Sequence, residues 1–334
     1  MFAFENISPF SSSLRGALLL LLLLLLQLLG VPLPLHAAPS AQPVEAELLL
    51  SATLPMPRGP PLPRLGVGTA GLGGMGASVV QEALQWGVRL VDTAQAPEWY
   101  SEAEVGRGIE AFLQDRGAAA GGYGELFLVT KVHPRSYAPH ALHDMLLRSR
   151  RLLARGSQPL DLVLLHSPFC WAGHCTAQEE RVPWQRGWRA LEAEHADGQL
   201  VSSLCCGACA VLCCVRGTCS LCCPPHPADP APPPLFQVSN IGVSNFDVTQ
   251  LAELLRLADS KVAAVQNWCD PFHQDRAVRA LAAENGVAYM AYSTLGTQWE
   301  SKLGRNPVLT DPALMRIAAE HGDGTSVADV ALSW

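Results

Sequence analysis

The chain has 334 residues, of which 23 are Lys or Arg and 30 are Asp or Glu, so its formal net charge is −7. An acidic balance gives no electrostatic case for nucleic-acid binding, and an apolar content of 49% excludes a largely disordered protein. Charged residues make up 16% of the chain, against roughly 25% in typical soluble domains. Two segments of unusual composition, residues 1–40 and 201–237, hold only four of these charged residues and contribute to this deficit.

The N-terminal segment, residues 1–40, contains a long leucine run. Residues 16–30 read GALLLLLLLLLQLLG after a single basic residue, Arg15, and small residues follow at 37–41. An apolar run of about 13 residues is short for a membrane span of about 20, and prolines follow it. We predict a signal segment that contacts the membrane during targeting, with an uncleaved membrane anchor as the alternative. The compartment stays open between the secretory pathway or endoplasmic reticulum and a plastid.

Beyond this segment, short β-branched runs alternate with longer amphipathic stretches, which is typical of βα units on a parallel sheet. A proline-rich turn within residues 47–63 predicts a hairpin that caps one end of a barrel. The predicted strands are 64–68, 89–92, 126–131, 160–166, 240–244, 263–266 and 287–293. The predicted helices are 78–87, 101–114, 138–154, 182–197, 248–257, 274–286, 312–321 and 326–334.

Residues 201–237 interrupt this alternation with a segment rich in cysteine and proline. It holds eight of the chain's 11 cysteines, between Cys205 and Cys223, and a single histidine. Dense thiolates suit soft metals such as zinc or Cu(I), yet the spacing matches no zinc-finger pattern well. Val201-Ser202 can be encoded GTGAGT, and the last residues of the segment can be encoded as a pyrimidine run ending in CAG. We interpret 201–237 as an unspliced intron, with a genuine insertion, a disulfide-rich loop and a metal cluster as alternatives.

One glycine motif matches a dinucleotide-binding fingerprint. Gly66, Gly68 and Gly71 have its spacing, and Asp92 lies where an acidic residue for the adenosine ribose would lie. The strand before the motif is short and flanked by proline, and a Rossmann fold leaves the polar residues at later strand ends unexplained. We therefore favour a barrel.

Polar side chains recur at the carboxyl ends of the predicted strands. In a parallel barrel these ends open onto one face, where active sites are built from several strands. Singly, each such residue has an ordinary structural role, such as a loop cap or a snorkelling lysine. Their recurrence on successive strands indicates a site that contains Asp92, Lys131, His166, Ser244, Asn245, Gln266, Asn267, Tyr292 and Ser293.

The segments LGVGT, ALQWGVRLVDTA, LFLVTKVHP, LDLVLLHSP, IGVSNF and AYSTLG resemble those of the aldo-keto reductases and follow that family's order. The resemblance implies an α/β fold, a (β/α)8 TIM barrel over residues 46–334 that is interrupted by 201–237. It also implies that strand 8 and the C-terminal tail are missing from this chain. The implied activity is the reduction of a small aldehyde or ketone with NADP(H), NAD(H) not being excluded, by a monomer without a catalytic metal.

The resemblance further implies a catalytic tetrad of Asp92, Tyr100, Lys131 and His166. Carbonyl reduction needs a proton for the developing alkoxide, and a tyrosine is a poor acid at pH 7 unless a buried cation lowers its pKa. Lys131 can do so if Asp92 pairs with it, and a neutral His166 can hydrogen-bond the substrate oxygen. The family usually places its tyrosine five residues after the aspartate, whereas Tyr100 lies eight residues after Asp92 and Pro97 takes the usual position.

The same resemblance assigns the remaining site residues and leaves other functions open. It implies cofactor contacts from Gly68, Thr69, Ser244, Asn245, Gln266, Tyr292, Ser293 and Leu295, and a substrate wall of Trp99 and Trp171. A catalytically silent barrel that acts as a regulatory or binding subunit is the alternative function. A metal-binding protein built around the cysteines of 201–223 is a third.

Overall fold

A computed structural model of the chain describes residues 51–116, 122–153, 160–203, 238–322 and 324–334. The predicted targeting segment and nearly all of the cysteine-rich segment lie outside these residues, so the structure does not bear on either prediction. Among the described residues, no helix combines the length and the apolar character that a membrane crossing requires.

Seven parallel strands form one sheet in which each strand pairs with its neighbour in sequence. The strands are β1 (Thr53–Leu54), β2 (Leu62–Pro63), β3 (Gly66–Gly68), β4 (Leu90–Asp92), β5 (Phe127–Val132), β6 (Leu160–Leu165), β7 (Val238–Ser244), β8 (Ala264–Trp268) and β9 (Ala288–Tyr292). Within the described residues β3 and β9 are the two edges, and the sheet is a nearly closed barrel. The register sets Gly68 beside Asp92 and Ser244 beside Gln266, so the carboxyl ends of the strands meet at one end of the barrel.

Helices follow most of the strands and cover the outside of the sheet. They are α1 (Gly76–Gln85), α2 (Glu102–Asp115), α3 (Pro139–Leu153), α4 (Trp184–Ser203), α5 (Val248–Leu257), α6 (Arg276–Glu284), α7 (Thr297–Leu303), α8 (Pro312–His321) and α9 (Val327–Ser333). Local sequence fixes several of their starts. The Ser101 side chain accepts a hydrogen bond from the backbone N–H of Glu104 at the start of α2, and Asp247 and Gln250 form a capping box at the start of α5.

The apolar residues form two clusters, one on each face of the sheet. Successive strand residues point to opposite faces, so Phe127 lies in the barrel interior and Leu128 lies under the helices. Leu162 and Val163 divide in the same way on the next strand. Both faces are covered by protein, which is why these strands have nearly continuous apolar sequences rather than alternating ones.

A two-stranded hairpin closes the amino-terminal end of the barrel. Strands β1 and β2 pair antiparallel, and Leu62 is 2% exposed where it joins the interior cluster. The Asn240 side chain accepts from the backbone N–H of Arg58 and donates to its carbonyl oxygen, at 3.1 and 2.8 Å, which ties the hairpin to β7. The predicted hairpin cap is therefore confirmed.

The seven predicted strands of the barrel and all eight predicted helices are present, with small differences at their ends. Strand β5 continues one residue past Lys131, and α4 ends at Ser203 rather than at residue 197. Helix α7 was not expected. It spans only seven residues between Gly296 and Gly304, which both have positive φ, and so short a segment shows no helical periodicity in the sequence.

Candidate active site

The ends of β4 and β5 bring Asp92 and Lys131 into a buried ion pair. Lys131 Nζ lies 2.5 Å from Asp92 Oδ1 and donates to the Thr93 carbonyl oxygen at 3.1 Å, with 2% of the lysine side chain exposed. Gln266 Nε2 donates to Asp92 Oδ2 at 2.8 Å. Each carboxylate oxygen thus has its own donor, which offsets the free-energy cost of burying the ammonium group.

Tyr100 lies against this pair in spite of its unusual spacing. The centroid of its ring is 5.2 Å from Lys131 Nζ and 5.8 Å from the centroid of the His166 ring. The preceding loop turns back on itself because the backbone N–H groups of Trp99 and Tyr100 both donate to the Ala96 carbonyl oxygen, at 2.9 and 2.8 Å. This turn takes up the additional residues, so the four members of the expected tetrad come together.

A buried carboxylate, Glu102, anchors the loop that carries Tyr100. It accepts hydrogen bonds from Thr130 Oγ1 at 2.7 Å and from Ser149 Oγ at 2.9 Å. Burial raises the pKa of Glu102, and the two hydroxyl donors oppose that rise. Because Thr130 precedes Lys131 in β5, the network joins the start of α2 to the strand that carries the lysine.

The pKa values of Tyr100 and Lys131 both lie above their ordinary values. Burial raises the pKa of Tyr100, the Lys131 cation lowers it, and the Asp92 carboxylate raises it again. Burial lowers the pKa of Lys131, but the neighbouring Asp92 and Tyr100 outweigh this effect. Lys131 therefore acts on Tyr100 in the expected direction, yet the expected net fall in the tyrosine pKa is wrong because burial has the larger effect.

His166 is neutral at physiological pH. Burial lowers its pKa well below the ordinary value, and the Lys131 cation and His133 lower it further. The residue is 6% exposed at the end of β6, and its Nδ1 has no hydrogen-bond partner among the described residues. Asn245 Nδ2 donates to the His166 carbonyl oxygen at 2.8 Å and links β6 to the loop after β7. A neutral imidazole is the form that the expected role requires.

Aromatic rings form a wall beside His166. The Trp171 ring centroid lies 4.9 Å from that of His166 and 5.3 Å from that of Trp99. The His174 ring centroid lies 4.9 Å from that of Trp99 and adds a third ring to the wall. The two tryptophans expected to contact substrate thus lie together next to the tetrad, and His174 is an addition that the sequence did not indicate.

A hydrogen-bonded chain through His133 adjoins this wall and was also missed. His133 Nδ1 accepts from the backbone N–H and the Nε of Arg135, at 3.1 and 3.0 Å, and the Arg135 guanidinium binds both carboxylate oxygens of Glu98 at 2.6 and 2.7 Å. Burial and the Arg135 charge lower the pKa of His133 to about 4. Its ring centroid lies 5.1 Å from that of Trp171. His133 follows Lys131 by two residues, just past the end of β5, and this spacing was the available signal that both side chains point to the same face.

The ends of β7, β8 and β9 bring together four of the residues expected to contact cofactor. Ser244 Oγ donates to the Gln266 carbonyl oxygen at 2.8 Å, and the Tyr292 hydroxyl donates to Asn245 Oδ1 at 2.6 Å. Asn245 has a φ of 61°, a left-handed conformation that is uncommon outside glycine and concentrates at functional sites. Burial raises the pKa of Tyr292, and the nearby Tyr100 contributes, so this group adjoins the tetrad.

The other expected cofactor residues lie at the ends of β3 and β9. A Cβ atom placed on Gly68 would meet no atom within 4 Å, so open space lies beside that strand end. Thr69 Oγ1 donates to the Asp92 carbonyl oxygen at 2.9 Å, and Ser293 has a φ of 52°. The Leu295 carbonyl oxygen accepts from the Asn306 side chain at 2.7 Å, which holds the loop before α7.

Comparison with known proteins identifies the family. The profile described as "Aldo/keto reductase family" matches residues 64–202 and 237–334. The chain belongs to the aldo/keto reductase family. Morphine 6-dehydrogenase of Pseudomonas putida is 28% identical over 282 residues, which cover 82% of this chain and 74% of that protein. NAD(P)H-dependent D-xylose reductase of Candida tenuis is 26% identical over 311 residues, which cover 85% of this chain and 82% of that protein.

Solved aldo/keto reductases have the same fold. The aldose reductase of Giardia lamblia aligns with a TM-score of 0.59 and 25% identity, covering 85% of this chain and 79% of its own. An aldo/keto reductase of Brucella melitensis aligns with a TM-score of 0.59 and 24% identity, covering 85% and 83%. The expected barrel class is confirmed. Members of the family are oxidoreductases that reduce carbonyl groups with NAD(P)H, so this chain is an oxidoreductase of the aldo-keto reductase type.

One group beside the aldo/keto reductase site has residue types that bind soft metals. A ring nitrogen of His133 and the sulfurs of Cys170 and Cys175 lie within 4.8 Å of one another. The two sulfurs form a disulfide, and the Arg135 donors keep His133 Nδ1 an acceptor, so its Nε2 holds the proton. Metal ligands must be deprotonated, and in this arrangement none of the three atoms offers a free deprotonated ligand.

Proposed function

We propose that this chain reduces an aldehyde or ketone to an alcohol with NAD(P)H and that Tyr100 is its general acid. The observation that carries the proposal is the buried Asp92–Lys131 pair, which contacts the Tyr100 ring next to a neutral His166. Four groups from separate elements lie side by side, with the Lys131 ammonium next to the phenol that gives up its proton.

The proposed steps follow from these charge states. NAD(P)H, when bound, supplies the hydride that the carbonyl carbon accepts. His166 orients the carbonyl oxygen through a hydrogen bond, which gains strength as negative charge develops on that oxygen. Tyr100 donates its phenolic proton to the same oxygen, and the Lys131 cation stabilises the tyrosinate left behind. Asp92 keeps Lys131 charged throughout, because it holds the lysine pKa above the ordinary value.

The residues at the ends of β7, β8 and β9 fit a nicotinamide group. Ser244, Asn245 and Gln266 carry hydroxyl and amide groups that match a carboxamide, and the half-buried Tyr292 offers an aromatic face for the ring. The open space beside Gly68 allows a phosphate to approach the backbone. We propose NADP(H) as the preferred form, with the dissociation constants of NADPH and NADH as the measurement that decides between them.

The decisive variant is Tyr100→Phe, which removes one oxygen atom and leaves the ring in place. We expect loss of carbonyl reduction by at least about 100-fold, the range over which a positioned acid acts. NADPH affinity, followed by the fluorescence of the bound nicotinamide, should stay unchanged. Tyr289→Phe is the matched control, because the Tyr289 hydroxyl donates to Asp275 at 2.8 Å and the ring packs in the outer cluster rather than at the tetrad.

Two results would contradict the proposal in different ways. Turnover by Tyr100→Phe at the wild-type rate would remove Tyr100 as the acid. NADPH binding without reduction of any aldehyde or ketone by the wild-type chain would instead support a silent barrel with a binding or regulatory role.

The monomeric state and the compartment are part of the same proposal. We propose a monomer that is directed into the secretory pathway or a plastid by residues 1–40. Sedimentation of the full chain tests the first statement. Imaging of a fluorescent fusion, with and without residues 1–40, tests the second.

A further inference from the structure

We propose that the disulfide between Cys170 and Cys175 is a redox-controlled staple that holds Trp171 against the carbonyl site, and that a dithiol reductant opens it. The inference rests on the proposed function, because it names a regulatory site within the substrate wall of that reductase.

The disulfide is placed to control the wall. It closes residues 170–175, a loop that starts four residues after His166 and contains both Trp171 and His174. Trp171 contacts His166, Trp99 and His133 at ring-centroid distances of 4.9, 5.3 and 5.1 Å. The two residues between Trp171 and His174 are exposed to solvent, so this segment has little packing of its own. The disulfide is therefore a direct constraint on its conformation.

Reductants can reach this disulfide. Cys170 and Cys175 are both half-buried, whereas Cys269, a free thiol in the described residues, is 4% exposed. A disulfide that a thiolate can reach is more easily reduced than one sealed in the core, and so short a loop contributes little closure entropy.

His133 supplies a group that favours opening. A ring nitrogen of His133 lies within 4.8 Å of both sulfurs, and the Arg135 donors at Nδ1 leave the proton on Nε2. His133 Nε2 is buried and has no hydrogen-bond partner among the described residues. The neutral imidazole thus lies beside either leaving sulfur, and a polar group that stabilises the leaving thiolate speeds thiol–disulfide exchange.

The exchange balances with one dithiol. A thiolate of the reductant attacks one sulfur of the pair, a mixed disulfide forms, and the other cysteine leaves as a thiolate and takes up a proton. The second thiol of the reductant then displaces the first cysteine, so the reductant departs as a disulfide. Cys170 and Cys175 have gained two electrons and two protons. Opening so short a disulfide-closed loop increases its conformational entropy. By the chain-entropy estimate, the population of the ordered loop conformation falls by up to about 40-fold.

The test compares wild type and Cys170→Ser/Cys175→Ser, each before and after treatment with dithiothreitol. We expect reduction to raise the KM of wild type for its carbonyl substrate by about 10-fold, which is within the limit of about 40-fold set by the loss of the disulfide-closed loop. NADPH affinity should not change. The double variant should have the raised KM in both conditions. Cys269→Ala is the matched control and should respond as wild type does. Differential alkylation followed by peptide mass analysis assigns the change to Cys170 and Cys175 rather than to the cysteines of 205–223.

Hydrogen exchange of the peptide that contains residues 169–181 gives a readout that does not need turnover. The staple is supported if reduction makes this peptide of wild type exchange faster. It also requires that the peptide of the double variant exchanges fast whether or not dithiothreitol is present. Equal exchange and equal KM in oxidised wild type and the double variant would overturn it. Zinc binding by reduced wild type that slows the exchange again, absent in the double variant, would also overturn it in favour of a metal site. If no form reduces any carbonyl while the exchange responds as expected, the proposed function fails and the staple stands.

Discussion

Replacing Lys131 by Met separates the electrostatic role of the lysine from its structural role. The side chain is 2% exposed, so Lys131→Met keeps most of the buried volume while it removes the charge next to Tyr100. Asp92 then has no ion partner and keeps only the Gln266 donor at 2.8 Å. Breaking a fully buried pair costs about 3–5 kcal/mol. Because the Asp92 side chain is 14% exposed and keeps that donor, we expect a lower cost of about 2 kcal/mol in the free energy of unfolding.

The effect on rate is expected to be larger. Without the Lys131 cation, burial and Asp92 both raise the pKa of Tyr100, so kcat for carbonyl reduction should fall by about 100-fold to 10,000-fold. Urea unfolding and steady-state kinetics measure the two quantities. The double variant Asp92→Asn/Lys131→Met should regain stability to within about 1 kcal/mol of wild type, since no unpaired charge remains, and its kcat should stay low. A kcat for Lys131→Met within threefold of wild type would refute the reasoning.

Two further predictions concern stability. Burial raises the pKa of Asp161 to about 6 from an ordinary 3.8, so the stability it contributes is complete below pH 3.8 and is lost as pH rises through 6. Asp161→Asn keeps an acceptor for the Leu128 N–H. Measured by urea unfolding, the free energy of unfolding of this variant relative to wild type should therefore rise by about 3 kcal/mol between pH 4 and pH 7. A difference that does not change with pH would contradict this. A Cβ on Gly106 would lie 1.9 Å from the Leu152 carbonyl oxygen, so Gly106→Ala should push α2 from α3 and lower the midpoint of thermal unfolding by several degrees. Gly124→Ala, whose Cβ would meet no atom within 4 Å, should leave the midpoint unchanged and serves as its control.

The sequence predicted most of the barrel because its strands and helices carry strong local signals. Strands buried on both faces have continuous apolar runs, as in residues 126–129 and 162–165, and this pattern needs no tertiary information. Polar residues that end such runs must meet at one edge of a parallel sheet. That rule alone brought Asp92, Lys131 and His166 to one site before any distance was known.

The spacing of Tyr100 was the point at which local reasoning failed to decide. Eight residues separate it from Asp92, and the number alone does not tell whether the ring reaches the lysine. The backbone turn at Ala96 decides it, because both following N–H groups share one carbonyl acceptor. Glu102 then fixes the loop through a hydroxyl group on β5, a contact between residues 28 positions apart.

The sequence by itself determined the order of strands and helices, the end of the barrel that holds the site, and the residue types that meet there, because these depend on periodicity and on the geometry of parallel sheets. Only the tertiary structure decided which donors share the Asp92 carboxylate, that Cys170 and Cys175 are joined beside His133, and that burial outweighs Lys131 in setting the pKa of Tyr100. Those properties depend on distance and on exclusion of water between segments remote in sequence, and such quantities exist only once the chain is packed.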